Sequence, residues 1–150
     1  MTYPAEALKI ATELCVRFEG LSLKPYTCPA GKPTIGYGAT YYANKKPVTL
    51  NDPSITEDEA KNLLAIELHS IVNRLALASP VLKEYPKALG ALGSFVYNLG
   101  MGSYLKSTLK KEIDKAEWGR AKLELAKWVH ANGKKLNGLV ARRKAEAIYL

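Results

Sequence analysis

Three side chains near the start of the chain, Glu19, Cys28 and Thr34, have the types and the spacing for acid and base chemistry. Glu19 follows Phe18 at the predicted end of a helix and precedes a segment rich in Gly and Tyr. A carboxylic acid partly shielded from water can keep its proton and donate it to a leaving-group oxygen. Cys28 and Thr34 fall in a predicted strand pair that can return past the helix end and face Glu19 across one water. Inverting glycosidases need this layout, because one group protonates the glycosidic oxygen while another activates water.

Each of these residues also has a simpler interpretation. Glu19 can be a surface carboxylate at a helix end, which its position alone does not exclude. Cys28 can be a small buried hydrophobe, a weak base, a group that positions water, or both of the last two. A thiol has a reference pKa of about 8.5, so it is mostly neutral at pH 7 unless its surroundings stabilise the thiolate.

The pattern of apolar residues predicts the elements that must position these side chains. Near the N-terminus, apolar residues recur at three- and four-residue steps, which predicts an amphipathic helix that ends at Gly20. From Leu21 to Thr49, the Pro and Gly residues exclude a long helix and the Tyr, Ile and Val residues favour a small, strongly bent antiparallel sheet. Thr56 and Glu59 form a capping box at the start of a long helix that runs to Ser79-Pro80.

Further helices are predicted in the second half of the chain. The segment from Pro86 to Leu99 is apolar or small around most of its circumference, which predicts a central buried helix. Gly90 and Gly93 allow neighbours to approach it closely, and Gly100 and Gly102 stop it. Helix, small sheet, long helix and helical cluster together predict an α+β, mostly helical fold. The remaining helices are a shorter one near Ser107, one from Trp118 to Val129 closed by Asn132-Gly133, and a last one after Asn137-Gly138.

The chain is basic, with 22 Lys and Arg against 14 Asp and Glu and a net charge of +8, which favours polyanionic partners. A nucleic-acid-binding helical domain is one competing interpretation, but it leaves the segment from Phe18 to Thr40 unexplained. A wall-binding module without catalysis is another. Only the C-terminal stretch looks like a cationic patch, which can also be a solubilising surface; its residues are Lys134, Lys135, Arg142, Arg143 and Lys144.

The two cysteines, Cys15 and Cys28, are too few for a disulfide framework. A disulfide between them is conceivable, because Cys15 shares a helix face with Glu19, but a reducing cytoplasm opposes it. Charged residues interrupt the N-terminal segment, so we predict neither a signal peptide nor a membrane span. His69 and His130 are isolated from other metal-binding side chains, and we predict no metal and no cofactor.

The segment from Phe18 to Thr40 resembles the catalytic segment of the phage-type lysozymes, the glycoside hydrolase family that includes T-even and lambdoid endolysins. That family has a Glu, eight residues, an Asp or Cys, five residues and a Thr, followed by a strand like Ile-Gly-Tyr-Gly. Glu19, Cys28, Thr34 and Ile35-Gly36-Tyr37-Gly38 meet this pattern without a gap. Three later stretches agree in order and rough spacing: 56–60, 94–100 with 107–109, and Trp128 with 138–146.

The resemblance implies a lysozyme-like fold of two lobes within a single domain, residues 1–150. It places a small antiparallel sheet lobe at about 20–55, a linking helix at about 56–78 and a helical lobe at about 80–150 with the N-terminal helix packed against it. It implies a muramidase that hydrolyses the β-1,4 bond between N-acetylmuramic acid and N-acetylglucosamine.

By resemblance, Glu19 is the general acid, and Cys28 and Thr34 hold and activate the attacking water. The sequence departs from the family at Cys28, where Asp is the common residue, and at Ala39, where many relatives carry His. The product stays open, because transglycosylases also use one Glu acid. Six positions match residues that line the family's saccharide groove: Tyr37, Thr40, Tyr97, Asn98, Ser107 and Thr108.

The implied partner is the glycan strand of peptidoglycan, with no nucleic acid. We expect the basic C-terminal helix to contact an anionic outer-membrane surface as an additional role. We expect a monomer that resides in the host cytoplasm and reaches the cell wall only after the membrane is permeabilised.

Overall fold

Helices dominate the computed structural model, which describes residues 2–150, and the predicted α+β, mostly helical class is confirmed. No helix among these residues is both long and apolar enough to cross a membrane. The elements in chain order are α1 (Tyr3–Phe18), β1 (Ser22–Thr27), β2 (Pro33–Gly36), α2 (Glu57–Ala78), a 3₁₀ turn (Pro80–Glu84), α3 (Pro86–Leu99), α4 (Met101–Leu105), α5 (Thr108–Asp114), α6 (Trp118–Leu125), β3 (His130–Ala131), β4 (Lys134–Lys135) and α7 (Asn137–Ala147).

The chain divides into two units, which we call the sheet unit and the helical unit. The sheet unit is Cys15–Glu67 and holds the end of α1, the β1–β2 sheet and the start of α2. The helical unit holds the residues before it together with Leu68–Leu150. The boundaries therefore fall inside α1 and inside α2.

Helix α1 forms as the sequence predicted, because its apolar residues lie on one stripe. Ala7, Ala11, Leu14 and Cys15 are all buried, whereas the residues between them include exposed charged side chains. The helix ends at Phe18, and the backbone N–H of Glu19 donates to the carbonyl of Cys15 at 2.8 Å.

The small sheet follows directly and is antiparallel, as predicted. Strand β1 pairs with β2, with Ser22 opposite Gly36 and Tyr26 opposite Thr34, and the register shifts between these pairs. Gly36 adopts φ +68 and lies close to helix α2, because a Cβ added there would be 3.3 Å from the Cβ of Ala60. The sheet is therefore held against the start of α2 at a position where only Gly fits without strain.

Helix α2 begins with the predicted capping box. The backbone N–H of Glu59 donates to Oγ1 of Thr56 at 3.1 Å, and the backbone N–H of Thr56 donates to Oε1 of Glu59 at 3.3 Å. The helix then continues for 22 residues to Ala78. Both the start signal and the length agree with the sequence pattern.

Helix α3 is the buried centre of the helical unit, as predicted. Every residue from Ala88 to Val96 is buried. A Cβ added at Gly90 would be 2.6 Å from the carbonyl oxygen of Ala7, and one added at Gly93 would be 3.2 Å from the Cβ of Ala11. The two glycines thus let α1 approach α3 closely.

Two predicted element boundaries in the helical unit are wrong. Gly102 does not stop a helix but lies inside the short helix α4, so Gly100, with φ +91, ends α3 alone. Helix α6 ends at Leu125 and does not reach Val129.

The segment after α6 forms a hairpin that the sequence analysis missed. His130 pairs with Lys135 and Ala131 with Lys134, while Asn132 and Gly133 form the turn with φ 52 and φ 77. Asn-Gly with positive φ at both positions is the common signal of a two-residue hairpin loop. The prediction treated the same dipeptide as a helix end, because the apolar spacing continues past Leu125 to Trp128 and Val129.

Candidate active site

Glu19 stands one residue beyond the last turn of α1 and is half-buried. Its backbone N–H remains bonded to the Cys15 carbonyl, so the helix fixes the position from which its side chain projects. Cys28 and Thr34 belong to the same sheet unit as Glu19.

A tight turn brings Cys28 and Thr34 together. The backbone N–H of Cys28 donates to the carbonyl of Lys32 at 3.0 Å, and that of Gly31 donates to the carbonyl of Cys28 at 2.8 Å. Gly31 adopts φ +83, which favours glycine. The strand pairing then continues with Thr27 opposite Pro33, the first residue of β2, and Thr34 follows directly, opposite Tyr26.

The surroundings of Cys28 favour its thiolate form. The pKa of the Cys28 thiol lies below its ordinary value, first because the Thr34 hydroxyl can donate a hydrogen bond to the thiolate and next because the backbone N–H of Lys32 can. Partial desolvation opposes this shift. Cys28 is half-buried and Thr34 is 3% exposed, so the hydroxyl is shielded while the thiol keeps contact with solvent.

The Thr34 hydroxyl has one proton and two acceptors in reach. Its Oγ1 lies 3.0 Å from the carbonyl oxygen of Lys32, a bond it can donate when Cys28 is a neutral thiol. When Cys28 loses its proton, rotation about the Thr34 C–O bond turns the same O–H toward the sulfur. The thiolate can therefore accept a proton from a third group, after which the Thr34 O–H turns back to the Lys32 carbonyl.

The two cysteines are not joined by a disulfide. Cys15 is fully buried in α1, whereas Cys28 is half-buried at the turn. Among residues 2–150, no group of three or more His, Cys, Asp or Glu side chains could hold a metal ion.

The other two predicted site residues of the sheet unit differ in exposure. Tyr37 is 4% exposed and packs in the interior, so it does not present an open aromatic face. Thr40 is half-buried, and its carbonyl accepts the backbone N–H of Val48 at 2.9 Å.

The remaining four predicted site residues lie in the helical unit. Tyr97 and Asn98 are half-buried at the end of α3, and Thr108 is exposed. Ser107 is buried as the N-cap of α5: its Oγ accepts the backbone N–H of Lys110 at 3.1 Å and donates to the carbonyl of Tyr104 at 2.6 Å. Its hydroxyl thus serves the helix cap.

The predicted cationic patch is wrong for two of its residues. Arg142 and Arg143 are 3% and 2% exposed, and Lys134, Lys135 and Lys144 remain exposed. Their partners on α3, Ser94 and Asn98, were not visible in local charge. The spacing Arg-Arg-x-x-Glu puts both cations within about one turn of Glu146, and it was the signal in the sequence that they form ion pairs.

A buried polar cluster forms around Glu146. Its Oε2 accepts the Ser94 hydroxyl at 2.6 Å, and its Oε1 lies 2.8 Å from Nε of Arg143. Arg142 donates from Nε to the Ser94 hydroxyl and from Nη2 to the Ser94 carbonyl, both at 3.2 Å. Arg143 also donates from Nη2 to Oδ1 of Asn98 at 2.7 Å.

Burial and attraction act in opposite directions on the ionisable groups of this cluster. Burial raises the pKa of Glu146 and lowers that of Arg143, while the attraction between the two side chains opposes both shifts. A guanidinium does not lose its proton in proteins, so Glu146 has a permanent cationic partner. Removing either member leaves the other buried and unpaired.

Comparison with known protein families gives one match over most of the chain. The family model described as phage lysozyme matches residues 16–146. An endolysin of Acyrthosiphon pisum secondary endosymbiont phage 1 is 36% identical over 139 residues, 89% of each chain. A SAR-endolysin of Bacteriophage PS119 is 35% identical and covers 85% of this chain and 73% of its own.

Solved structures with the same fold are also similar in sequence. The endolysin from Escherichia coli O157:H7 phage FAHEc1 superposes with a TM-score of 0.75 at 28% identity, over 94% of this chain and 90% of its own. The active form of P1 phage endolysin Lyz gives a TM-score of 0.75 at 26% identity, over 94% and 82%.

Proposed function

Because this chain belongs to the phage lysozyme family, we propose that it lyses host cells by hydrolysing the β-1,4 bond between N-acetylmuramic acid and N-acetylglucosamine in peptidoglycan. The family makes it a glycoside hydrolase and implies peptidoglycan as its substrate. A structurally similar protein, the muramidase domain of SpmX from Asticaccaulis excentricus, supports the bond assignment at 25% identity.

The observation that carries the mechanism is the contact between Cys28 and Thr34. A hydroxyl that lowers the pKa of a neighbouring thiol increases the fraction of thiolate, which is the form that can accept a proton. Cys28 takes the role of base, and Thr34 stabilises the thiolate and helps to hold the water. The downward shift of the pKa supports this role, since an ordinary thiol is mostly neutral at pH 7.

The proposed reaction is a single displacement. The Glu19 carboxyl donates its proton to the glycosidic oxygen as the bond to the anomeric carbon breaks. Cys28 accepts a proton from the water, whose oxygen bonds to the anomeric carbon on the opposite face. The products are a new reducing end with inverted configuration and a released hydroxyl, and the net proton transfer runs from Cys28 back to Glu19 through solvent.

The saccharide contacts divide by exposure. Thr40, Tyr97, Asn98 and Thr108 are half-buried or exposed, so they can touch sugar directly. Tyr37 and Ser107 are buried and support the positions next to them.

The proposal includes a single domain, residues 1–150, made of a sheet lobe, a linking helix and a helical lobe. A monomeric state, absence of nucleic acid and residence in the host cytoplasm stay predictions.

Mass spectrometry of muropeptides released from purified peptidoglycan tests this function. Hydrolysis predicts fragments with N-acetylmuramic acid at the reducing end, each carrying one added water. Proton NMR of the fresh digest should show the inverted anomer before mutarotation. Anhydro fragments would contradict hydrolysis, retained configuration would contradict single displacement, and reducing ends on N-acetylglucosamine would contradict the bond.

A further inference from the structure

The carboxamide of Asn98 can face Arg143 in only one way. Nη2 of Arg143 lies 2.7 Å from Oδ1 of Asn98. A guanidinium carries only donors, so the opposite orientation would set the Asn98 amide hydrogens against those of Arg143. The oxygen of Asn98 therefore points to Arg143, and its NH₂ group points away.

Arg143 is itself held from several sides. Its Nε lies 2.8 Å from Oε1 of Glu146, and its Nη2 donates to Oε2 of the same carboxylate at 3.2 Å. The guanidinium also lies over the ring of Phe95, 5.0 Å from its centroid, and the edge of that ring meets Trp128 at 5.5 Å. With 2% exposure, the side chain is enclosed by these contacts.

The NH₂ group of Asn98 has no acceptor within the described residues 2–150, and the side chain is half-buried rather than enclosed. Two donors with a fixed direction are thus left for solvent or for a ligand. Ser94 and Asn98 are four residues apart on one face of α3, so the same cluster that buries Ser94 fixes Asn98.

We propose that Arg143 is a positioning residue for glycan recognition: it orients Asn98 so that the outward NH₂ donates to an oxygen acceptor of the bound saccharide. This inference rests on the proposed function, since it assigns a role in that reaction. The exposed residue contacts sugar, and the buried Arg143 acts through it. Cationic surface attraction plays no part, because the Arg143 charge is paired internally.

Replacement of Asn98 by Asp tests the oxygen and the NH₂ group of its carboxamide separately. Asp keeps an oxygen for Arg143 but loses the outward donor, so Asn98→Asp should fold with at least parent stability and raise KM about tenfold with little change in kcat. Asn98→Ala should raise KM similarly and also lower stability. Asn73→Asp, on the exposed face of α2, makes the same change of charge and should leave KM at the parent value.

A double-mutant cycle tests the role of Arg143. Arg143→Lys keeps a cation beside Glu146 but loses the fork that holds Asn98, so KM should rise several-fold. In the Asn98→Ala background, Arg143→Lys should raise KM no further, although stability falls in both backgrounds. If Arg143→Lys does not fold, the comparison of Asn98→Asp with Asn98→Ala still tests the outward donor, and parent KM in Asn98→Asp would leave Arg143 nothing to position.

Two results would overturn the inference: parent KM in a folded Asn98→Asp variant, or additive KM effects in the double variant. Both require an active parent protein. A parent that releases no reducing ends from peptidoglycan would instead remove the proposed function, so the two failures are distinguishable.

Discussion

Cys28 and Thr34 form a pair, because the acidity of the Cys28 thiol depends on the Thr34 hydroxyl. The hydrogen bond from Thr34 lowers the pKa of the Cys28 thiol, and this bond depends on a turn that holds Gly31 at φ +83. Sequence spacing predicted that the two side chains lie near each other. The direction of the pKa shift depends on which hydroxyl and which backbone N–H groups face the sulfur, and spacing does not contain that information.

The pH dependence of thiol alkylation measures this bond. Because the thiolate is the reactive form, alkylation of Cys28 should rise with pH through a midpoint below that of an ordinary thiol. Thr34→Val removes the donor at nearly constant volume and should move the midpoint upward. Peptide mass spectrometry separates Cys28 from the buried Cys15. Thr27→Val, exposed on the same hairpin, is the control, and an equal midpoint in the Thr34→Val and Thr27→Val variants would refute the bond.

Substitution of Cys28 tests its role as the base. Asp supplies a carboxylate that is ionised at neutral pH, so Cys28→Asp should retain lytic activity within about tenfold. Cys28→Ser keeps a polar side chain that does not ionise in this range, and activity should fall by about 10²–10⁴-fold. Activity is measured as release of reducing ends, with circular dichroism to verify folding. A folded Cys28→Asp variant with almost no activity would rule out water activation by this residue.

Among the helices and strands, features that depend on one element or one close contact were predicted correctly, whereas the end of α6 was not. The capping box of Thr56 and Glu59 and the small residues of α3 each act within one element or one contact, so sequence contains them. The end of α6 was misjudged because Trp128 continues the apolar spacing without continuing the helix. Its ring instead packs edge-on against Phe95 at 5.5 Å, a contact with α3 that periodicity cannot reveal.

The close approach of α1 and α3 gives a prediction about stability. A Gly to Ala change inside a helix ordinarily stabilises it by up to about 1 kcal/mol. At Gly90, the added Cβ would be 2.6 Å from the backbone oxygen of Ala7, which cannot move without shifting α1. We therefore expect Gly90→Ala to destabilise the protein by about 1–3 kcal/mol in urea denaturation.

Gly119 of α6 is the matched control, because a Cβ added there meets nothing within 4 Å. Gly119→Ala should leave the free energy of unfolding unchanged or raise it slightly. Equal stability of the Gly90→Ala and Gly119→Ala variants would show that α1 and α3 are not packed as closely as described.

For the protein as a whole, the net charge of +8 does not map onto one surface patch. Two of the five cations that suggested such a patch, Arg142 and Arg143, are buried with Glu146. Their charge and their spacing to Glu146 can be read from the sequence. The contact of Arg142 with Ser94 on α3 cannot, because it depends on how distant segments pack. The affinity of the protein for anionic surfaces should therefore depend on its total charge and not on where the exposed charges lie.

Vesicles of mixed neutral and anionic phospholipid test this expectation. Replacing Lys134, Lys135 and Lys144 by Gln removes three exposed charges, and the control removes three exposed charges elsewhere, at Lys61, Lys83 and Lys87. Both triple variants should bind more weakly than the parent and to the same extent, and added salt should weaken all three. A much larger loss for the first variant would indicate a local patch after all.

The most direct measurement of the central claim is the release of reducing ends from purified peptidoglycan by the Glu19→Gln variant. Gln keeps the size of the side chain, but its amide is too weakly acidic to protonate a leaving group, so the rate should fall by at least about 10²–10⁴-fold while the protein stays folded. Glu13→Gln, exposed on the same helix, should digest peptidoglycan at the parent rate. A folded Glu19→Gln variant that digests at the parent rate would contradict the account.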